Sequence, residues 1–286
     1  MNTRFWLIQA FNGISYGALL FLVGSGLSLI FGVMRIVNLS HGSYFLLGGY
    51  VALSVIWTTG SWALALPVAA LAIAAVGLVI ERIFLRPLGF DPLRQVLLTV
   101  GFAFLFQQAA LDIWTGNNFD INPPEPLRQS IVIGGLYLPL YRVFMIAMAA
   151  AIGLALWLVM EKTRMGAAVR ATVDDAQMAR GVGIDTSRIS MFIFALGAFL
   201  AALGGVIGGA FLGIYPGLDF EMLPIAFAVV IIGGMGSLGG AAIGALLVGL
   251  ADNFGKALFP EVSYFTLYAP MALILAVKPT GLFGRE

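Results

Sequence analysis

Glu161 to Arg188 is the one stretch in which this chain concentrates chemistry. Of its 15 basic and 14 acidic residues, nine stand in the run EKTRMGAAVRATVDDAQMARGVGIDTSR. Mixed charge on an Ala-rich background suits recognition of another protein's surface rather than bond breaking. Elsewhere the reactive inventory is small. There is no cysteine and a single histidine, which argues against thiolate nucleophiles, disulfides and Cys or His metal centres. No G-x-x-x-x-G-K-[ST] phosphate loop occurs, so energy from ATP has to be supplied by a partner. A net charge of +1 with dispersed basic residues gives no footprint for nucleic acid.

The remaining polar residues of interest lie within apolar runs. His41 follows Asn38 and Ser40, and this trio can serve as a relay or substrate contact, or as a hydrogen-bonded tie at a helix break. Asn38 and Ser40 are expected to cap that helix. Asp112, after Gln107 and Gln108, reads as a solvated boundary residue, and Glu81 with Arg82 as an inner-surface boundary. Asp252 and Asn253 either end a helix at the outer surface or face a path. No pair or chain of buried acids of the kind a proton-coupled pump needs stands out. Five glycines from Gly233 to Gly240 surround Met235, a pliable side chain suited to a gate or to core filling. With Phe45, Phe227, Val229 and Val230, the residues Asn38, His41, Gly233, Gly234 and Met235 are the candidate walls of an apolar substrate path.

Positioning such residues needs a bilayer. The chain is 60% hydrophobic and 10% charged, with a mean hydropathy of +1.00, far from the composition of soluble domains. At about 20 apolar residues per crossing, 286 residues allow roughly eight spans and little else. The expected fold is therefore all-α: one polytopic transmembrane helix bundle over residues 1–286. The segments are Ile8–Val33, Ser43–Trp57, Trp62–Ile80, Val96–Trp114, Val143–Met160, Ser190–Ile214, Met222–Phe254 and Tyr264–Val277. The first is too long for a signal-peptide core and is read as a retained helix. The second begins on polar residues. The seventh is too long and Gly-broken, since glycine costs a helix about 1 kcal/mol each. That break is read either as part of a transport path or as a close glycine contact between helices. Pairs such as Gly13/Gly17, Gly204/Gly208 and Gly236/Gly240 have small-xxx-small spacing, and the Gly-rich sixth span is expected at the centre.

The basic residues set the orientation. With 161–188 cytoplasmic and the seventh segment a hairpin, Arg35, Arg82, Arg86, Arg94, Lys162, Arg164, Arg170, Arg180, Arg188, Lys278 and Arg285 lie inside. Arg4, Arg128, Arg142 and Lys256 lie outside, as does the Thr115–Arg142 loop. A turn is expected at Tyr215-Pro216-Gly217. The charged stretch reads as one short helix between two turns, with Thr172 and Asp175 at capping-box spacing, or with a start nearer Gly166. Gly181 and Gly183 stop it. It has too few large side chains for a lipid anchor. It is either a docking helix for another protein or a solvated connector.

The residues resemble a known family. Thr163-Arg-Met-Gly-Ala-Ala-Val-Arg-Ala, Asp175-Ala-Gln-Met-Ala-Arg-Gly-Val-Gly-Ile-Asp and Phe194-Ala-Leu-Gly-Ala-Phe-Leu-Ala are similar to the loop signature of branched-chain amino acid ABC permeases of the LivH/LivM type. Gly26-Leu-Ser-Leu-Ile-Phe-Gly-Val-Met-Arg-Ile-Val-Asn-Leu-Ser-His-Gly resembles the LivH-type subunit most. So do Ala228-Val-Val-Ile-Ile-Gly-Gly-Met-Gly-Ser-Leu-Gly-Gly-Ala and Lys278-Pro-Thr-Gly-Leu-Phe-Gly. The chain departs from the pattern at Leu39-Ser40, where Phe-Ala is commoner.

The resemblance implies an inner-membrane permease subunit that is not itself an enzyme and holds no cofactor. Its partners would be a second permease, two cytoplasmic ATPases using ATP and Mg, and a periplasmic amino-acid-binding protein. It maps a coupling helix onto residues 166–183, within a coupling loop over 163–189. The candidate coupling residues are Arg164, Gly166, Arg170, Ala171, Asp174, Asp175, Ala179, Arg180 and Gly183. Alternatives remain. Permeases of the same superfamily carry sugars, urea, short amides or nucleosides, and a stand-alone secondary transporter or channel is a different class. A membrane enzyme has no acid, base or nucleophile cluster to support it.

Overall fold

A computed structural model describes residues 3–89 and 91–284. The chain begins with α1 (Thr3–Met34), then α2 (His41–Thr59), α3 (Trp62–Ile80) and α4 (Pro92–Trp114). A π turn and a 3-10 turn carry α3 on to Leu88. The loop after α4 folds into a hairpin of β1 (Ser130–Ile133) and β2 (Leu136–Pro139), with Ser130 opposite Pro139. Then come α5 (Leu140–Lys162), α6 (Arg164–Asp174), α7 (Ala176–Gly181), α8 (Thr186–Leu212), α9 (Leu218–Gly233), α10 (Leu238–Leu258) and α11 (Ser263–Val277). Among the described residues six helices are long and apolar enough to cross a bilayer: α1, α3 with its extension, α4, α5, α8 and α10. The expected seventh segment is not one span. It is two helices, α9 and α10, separated at Gly234–Ser237, where Gly234 takes φ +101 and Gly236 φ +79. Few non-glycine residues enter that region.

Burial sorts the helices. α1 and α8 are buried along most of their length, whereas few residues of α4 and α5 are fully buried. In water this exposure would be untenable. In lipid it is the expected outer surface of the bundle. The expected centrality of the sixth span is observed, because α8 packs against α1, α2 and α3.

Glycines let these helices touch backbone to backbone. A methyl group on Gly205 would overlap the carbonyl oxygen of Phe45, and one on Gly26 would meet Gly197. The glycine-contact reading of the break is observed. The chain is interrupted there, and Gly233 and Gly240 also press α9 on α10. Past α11 the chain returns as a strap. The Leu282 and Phe283 amides donate to the carbonyls of Ile232 and Gly233 at 2.9 and 3.0 Å, satisfying orphan carbonyls at the end of α9.

The two ends of the bundle are chemically distinct. Arg35, Glu161, Arg170, Asp174, Met235 and Phe283 line one cleft, so the charged segment, the α9–α10 turn and the chain after α11 share one end. Lys278 donates to the Leu282 carbonyl there. Arg285 is outside the described residues. At the other end Arg142 bonds Asn12, Arg4 approaches Gly135 in the hairpin, and Lys256 sits over the Tyr16 ring. The expected turn after α8 is present, with the Leu218 amide donating to the Tyr215 carbonyl.

Candidate functional site

The charged segment is two helices rather than one. Thr163, not Thr172, caps the first: its Oγ1 accepts from the Gly166 amide at 3.1 Å. Thr172 instead donates to the Ala168 carbonyl inside α6. Asp175 breaks the run with extended backbone, and its Oδ1 accepts from the Gln177 and Met178 amides at 2.8 and 2.9 Å. An aspartate at this position can end one helix and cap the next. Gly183 then turns the chain at φ +90, and Asp185 caps α8 through the Ser187 and Arg188 amides.

The candidate coupling residues divide by what they touch. Gly166 is buried where a methyl would collide with the Met160 carbonyl. Arg170 donates to that same carbonyl and stands 3.7 Å from Glu161 Oε2. Ala179 is buried, and Arg180 Nε donates to Thr186 Oγ1 at 2.8 Å. These groups seat the segment on the bundle. Arg164, Asp174, Asp175 and Gly183 are exposed, and Ala171 is half-buried. Between the exposed polar groups project two apolar side chains that sequence reasoning passed over, Met178 (66% exposed) and Val182 (72%). Four residues apart, they stand on one side of the α7 turn. In so apolar a chain, nothing local marked them as outward.

Beneath α6 lies a cleft of about 810 Å³. Its walls are the end of α1, the face of α5 from Gly153 to Glu161, α6, and the Met235–Gly239 turn. A smaller cleft of about 440 Å³ separates Val33–Arg35 from Thr172–Arg180. Arg35 borders both, with φ +54 at the end of α1. The charged segment, the end of α1 and the broken-helix turn are thus neighbours around one cleft.

The deeper candidates lie apart from that cleft. After α1 the chain re-enters the bundle and α2 starts only at His41, whose Nε2 donates to the Val23 carbonyl at 2.9 Å. Val23 is about 16 Å back along α1 from Met34 at 1.5 Å per residue, roughly half a hydrocarbon thickness. Asn38 Oδ1 accepts from the Ser40 amide and hydroxyl at 3.1 and 2.7 Å. Thr99 on α4 accepts from the Leu39 amide. Ser40 makes no side-chain cap, so the polar trio ties the re-entrant chain to itself instead of capping α2. Phe45 is buried against Gly204 and Gly208 of α8, a packing position. Phe227 is half-buried on α9, and Met235 is 44% exposed at the cleft. The structure brings Gly233, Gly234 and Met235 together and leaves Asn38, His41 and Phe45 in a separate buried cluster.

Other expectations sort likewise. Asp112 is partly exposed and accepts from Gln108 Nε2, as a boundary residue would. Glu81 is buried while Arg82 is exposed. Asp252 is buried and pairs with Lys256 at 2.8 Å. The acid that sequence reasoning missed is Asp219. It is buried at the start of α9 and accepts from Ser43 Oγ at 3.0 Å. Beside a Pro-Gly turn, an aspartate reads as a surface residue.

Known proteins match this arrangement along nearly its whole length. The family described as "Branched-chain amino acid transport system / permease component" matches residues 9–275. The high-affinity branched-chain amino acid transport system permease protein LivH of Escherichia coli strain K12 is 31% identical, over 98% of this chain and 96% of its own. BraD of Pseudomonas aeruginosa, a permease protein of the same description, is 28% identical with the same coverage. LivM of Escherichia coli strain K12 is 27% identical over 91% of this chain and 67% of its own length. No solved structure matches. On a family match running almost end to end, over a multi-pass helical bundle, this chain belongs to the permease components of branched-chain amino acid transport systems.

Proposed function

We propose that this chain is one permease subunit of an ATP-driven importer of branched-chain amino acids in the bacterial inner membrane. A second permease, a copy or a relative, completes the path. Two cytoplasmic ATPases hydrolyse ATP with Mg, and a periplasmic binding protein delivers cargo. The observation that carries this reading is the seated docking segment, with Met178 and Val182 outermost and its inner face on the cleft shared with the α9–α10 turn. A partner that moves this segment pushes on the end of α1 and on the break. The outer loop is a small hairpin and offers no cargo-capturing domain of its own. A receptor that selects cargo leaves the permease free to bind it weakly, since strong affinity in the path slows release.

The test is leucine uptake and receptor-stimulated ATP hydrolysis in proteoliposomes holding the full complex. Met178→Glu places a charge in the apolar contact. Uptake and stimulated hydrolysis are expected to fall together, at least tenfold, with subunit expression intact. Uptake of a different solute by the wild-type complex would change the cargo and keep the mechanism. Solute flux through this chain alone, indifferent to ATP, would overturn it.

A further inference from the structure

Asp219 is 2% exposed, and it stands where two interrupted helices begin. It lies in the first turn of α9 and meets the first turn of α2 so closely that a methyl on Gly42 would collide with its backbone carbonyl. Ser43 Oγ donates to Asp219 Oδ2, the Asp219 and Phe220 backbone amides lie beside the carboxylate, and Oδ1 makes no well-formed hydrogen bond. Two turns along the same face of α2, the buried Tyr50 hydroxyl is also without one. Tyr50 lies within electrostatic reach of the carboxylate. Among the described residues no Lys or Arg pairs with Asp219. A buried carboxylate without a counter-charge is costly at membrane depth and marks a functional position.

The two helix starts around it lack a side-chain cap. α3, α4, α6, α7, α8 and α10 all begin under a side-chain cap, at Ser61, Asp91, Thr163, Asp175, Asp185 and Ser237. α2 and α9 have none, at Ser40 and Gly217, as is also the case for α5 at Pro139 and α11 at Val262. An uncapped helix start presents amide donors and the positive end of its dipole. The junction therefore sets amide donors beside an acid whose Oδ1 makes no well-formed hydrogen bond. An α-amino acid carries the complementary pair, an ammonium and a carboxylate on one carbon. Discontinuous helices near the bilayer midplane form such sites in transporters.

We propose that Asp219, Tyr50 and the start of α2 form a transient site for the zwitterionic end of the cargo. The ammonium meets Asp219 Oδ1 and the Tyr50 hydroxyl, and the carboxylate meets the first amides of α2. With Gly42 against Asp219 the junction is shut. Parting α9 from α2 opens it and breaks the Ser43–Asp219 bond. The site rests on the importer reading above and extends it to the main-chain charges every cargo amino acid shares.

The experiment compares wild type, Asp219→Asn, Tyr50→Phe and Ser43→Ala in the proteoliposome complex, with L-leucine as the probe. Asp219→Asn should lower uptake at least tenfold and raise ATP consumed per leucine by a similar factor; Tyr50→Phe should lower uptake severalfold. Wild-type uptake in Asp219→Asn overturns the site and leaves the importer standing. Equal loss of uptake, hydrolysis and thermal stability would make Asp219 a structural cap and overturn the site as well. If Asp219→Asn fails to assemble, normal uptake in both other variants overturns it. Wild-type uptake that requires sodium, with the requirement lost in Asp219→Asn, would assign the oxygen to a metal ion and overturn the ammonium role. A wild-type complex that takes up only a solute lacking the α-amino acid group would keep the importer mechanism and overturn this site.

Discussion

Gly205 leaves no room for even one methyl group, because the Phe45 carbonyl occupies the place a side chain would begin. Gly205→Ala must push α2 from α8, and such overpacking costs about 1–3 kcal/mol. The expected result is a lowered unfolding midpoint in detergent. Asp175 is a different kind of residue, exposed and replaceable in volume, yet it accepts the first amides of α7. Asp175→Ala should cost about 1 kcal/mol locally, seen as faster hydrogen exchange over 176–181 with α8 unchanged. Its role was not legible beforehand. Aspartate six residues before the end of a helical run looks the same whether it lies inside one helix or between two. Asp219 escaped for a related reason: its burial is imposed by α2, nearly two hundred residues earlier, through Gly42 and Ser43.

At the scale of elements, the break at Gly234–Ser237 was legible from the propensity cost of its clustered glycines, although packing keeps Gly204, Gly205, Gly208 and Gly209 helical in α8. The charged segment was also legible, since polar residues in an apolar chain have few places to go. What the sequence could not decide was which faces point outward. In a membrane protein hydrophobicity no longer separates inside from outside, so Met178 and Val182 looked like any other apolar pair. The strap after α11 carries a prediction of its own. Phe283→Pro removes the amide that reaches the Gly233 carbonyl, a bond worth about 1 kcal/mol. Exchange over 230–236 should quicken while α1 and α8 stay protected.

For the whole molecule, the basic residues set an expected orientation, and Arg35, Arg170 and Phe283 share one end of the bundle. The chain has no cysteine, so single cysteines can report sidedness directly. Met178→Cys should react with a membrane-impermeant maleimide only from the cytoplasmic face, and Tyr137→Cys, in the exposed hairpin, only from the other. The reverse pattern would invert the topology. The strap also has a consequence in time. Synthesis runs from the N-terminus, so α9 enters the membrane about fifty residues before the amides of Leu282 and Phe283 exist. At 5–20 residues per second that is a delay of roughly 3–10 seconds. Through that interval the end of α9 depends on water at the membrane surface, and the nascent chain carries an unfinished helix end that only later synthesis can close.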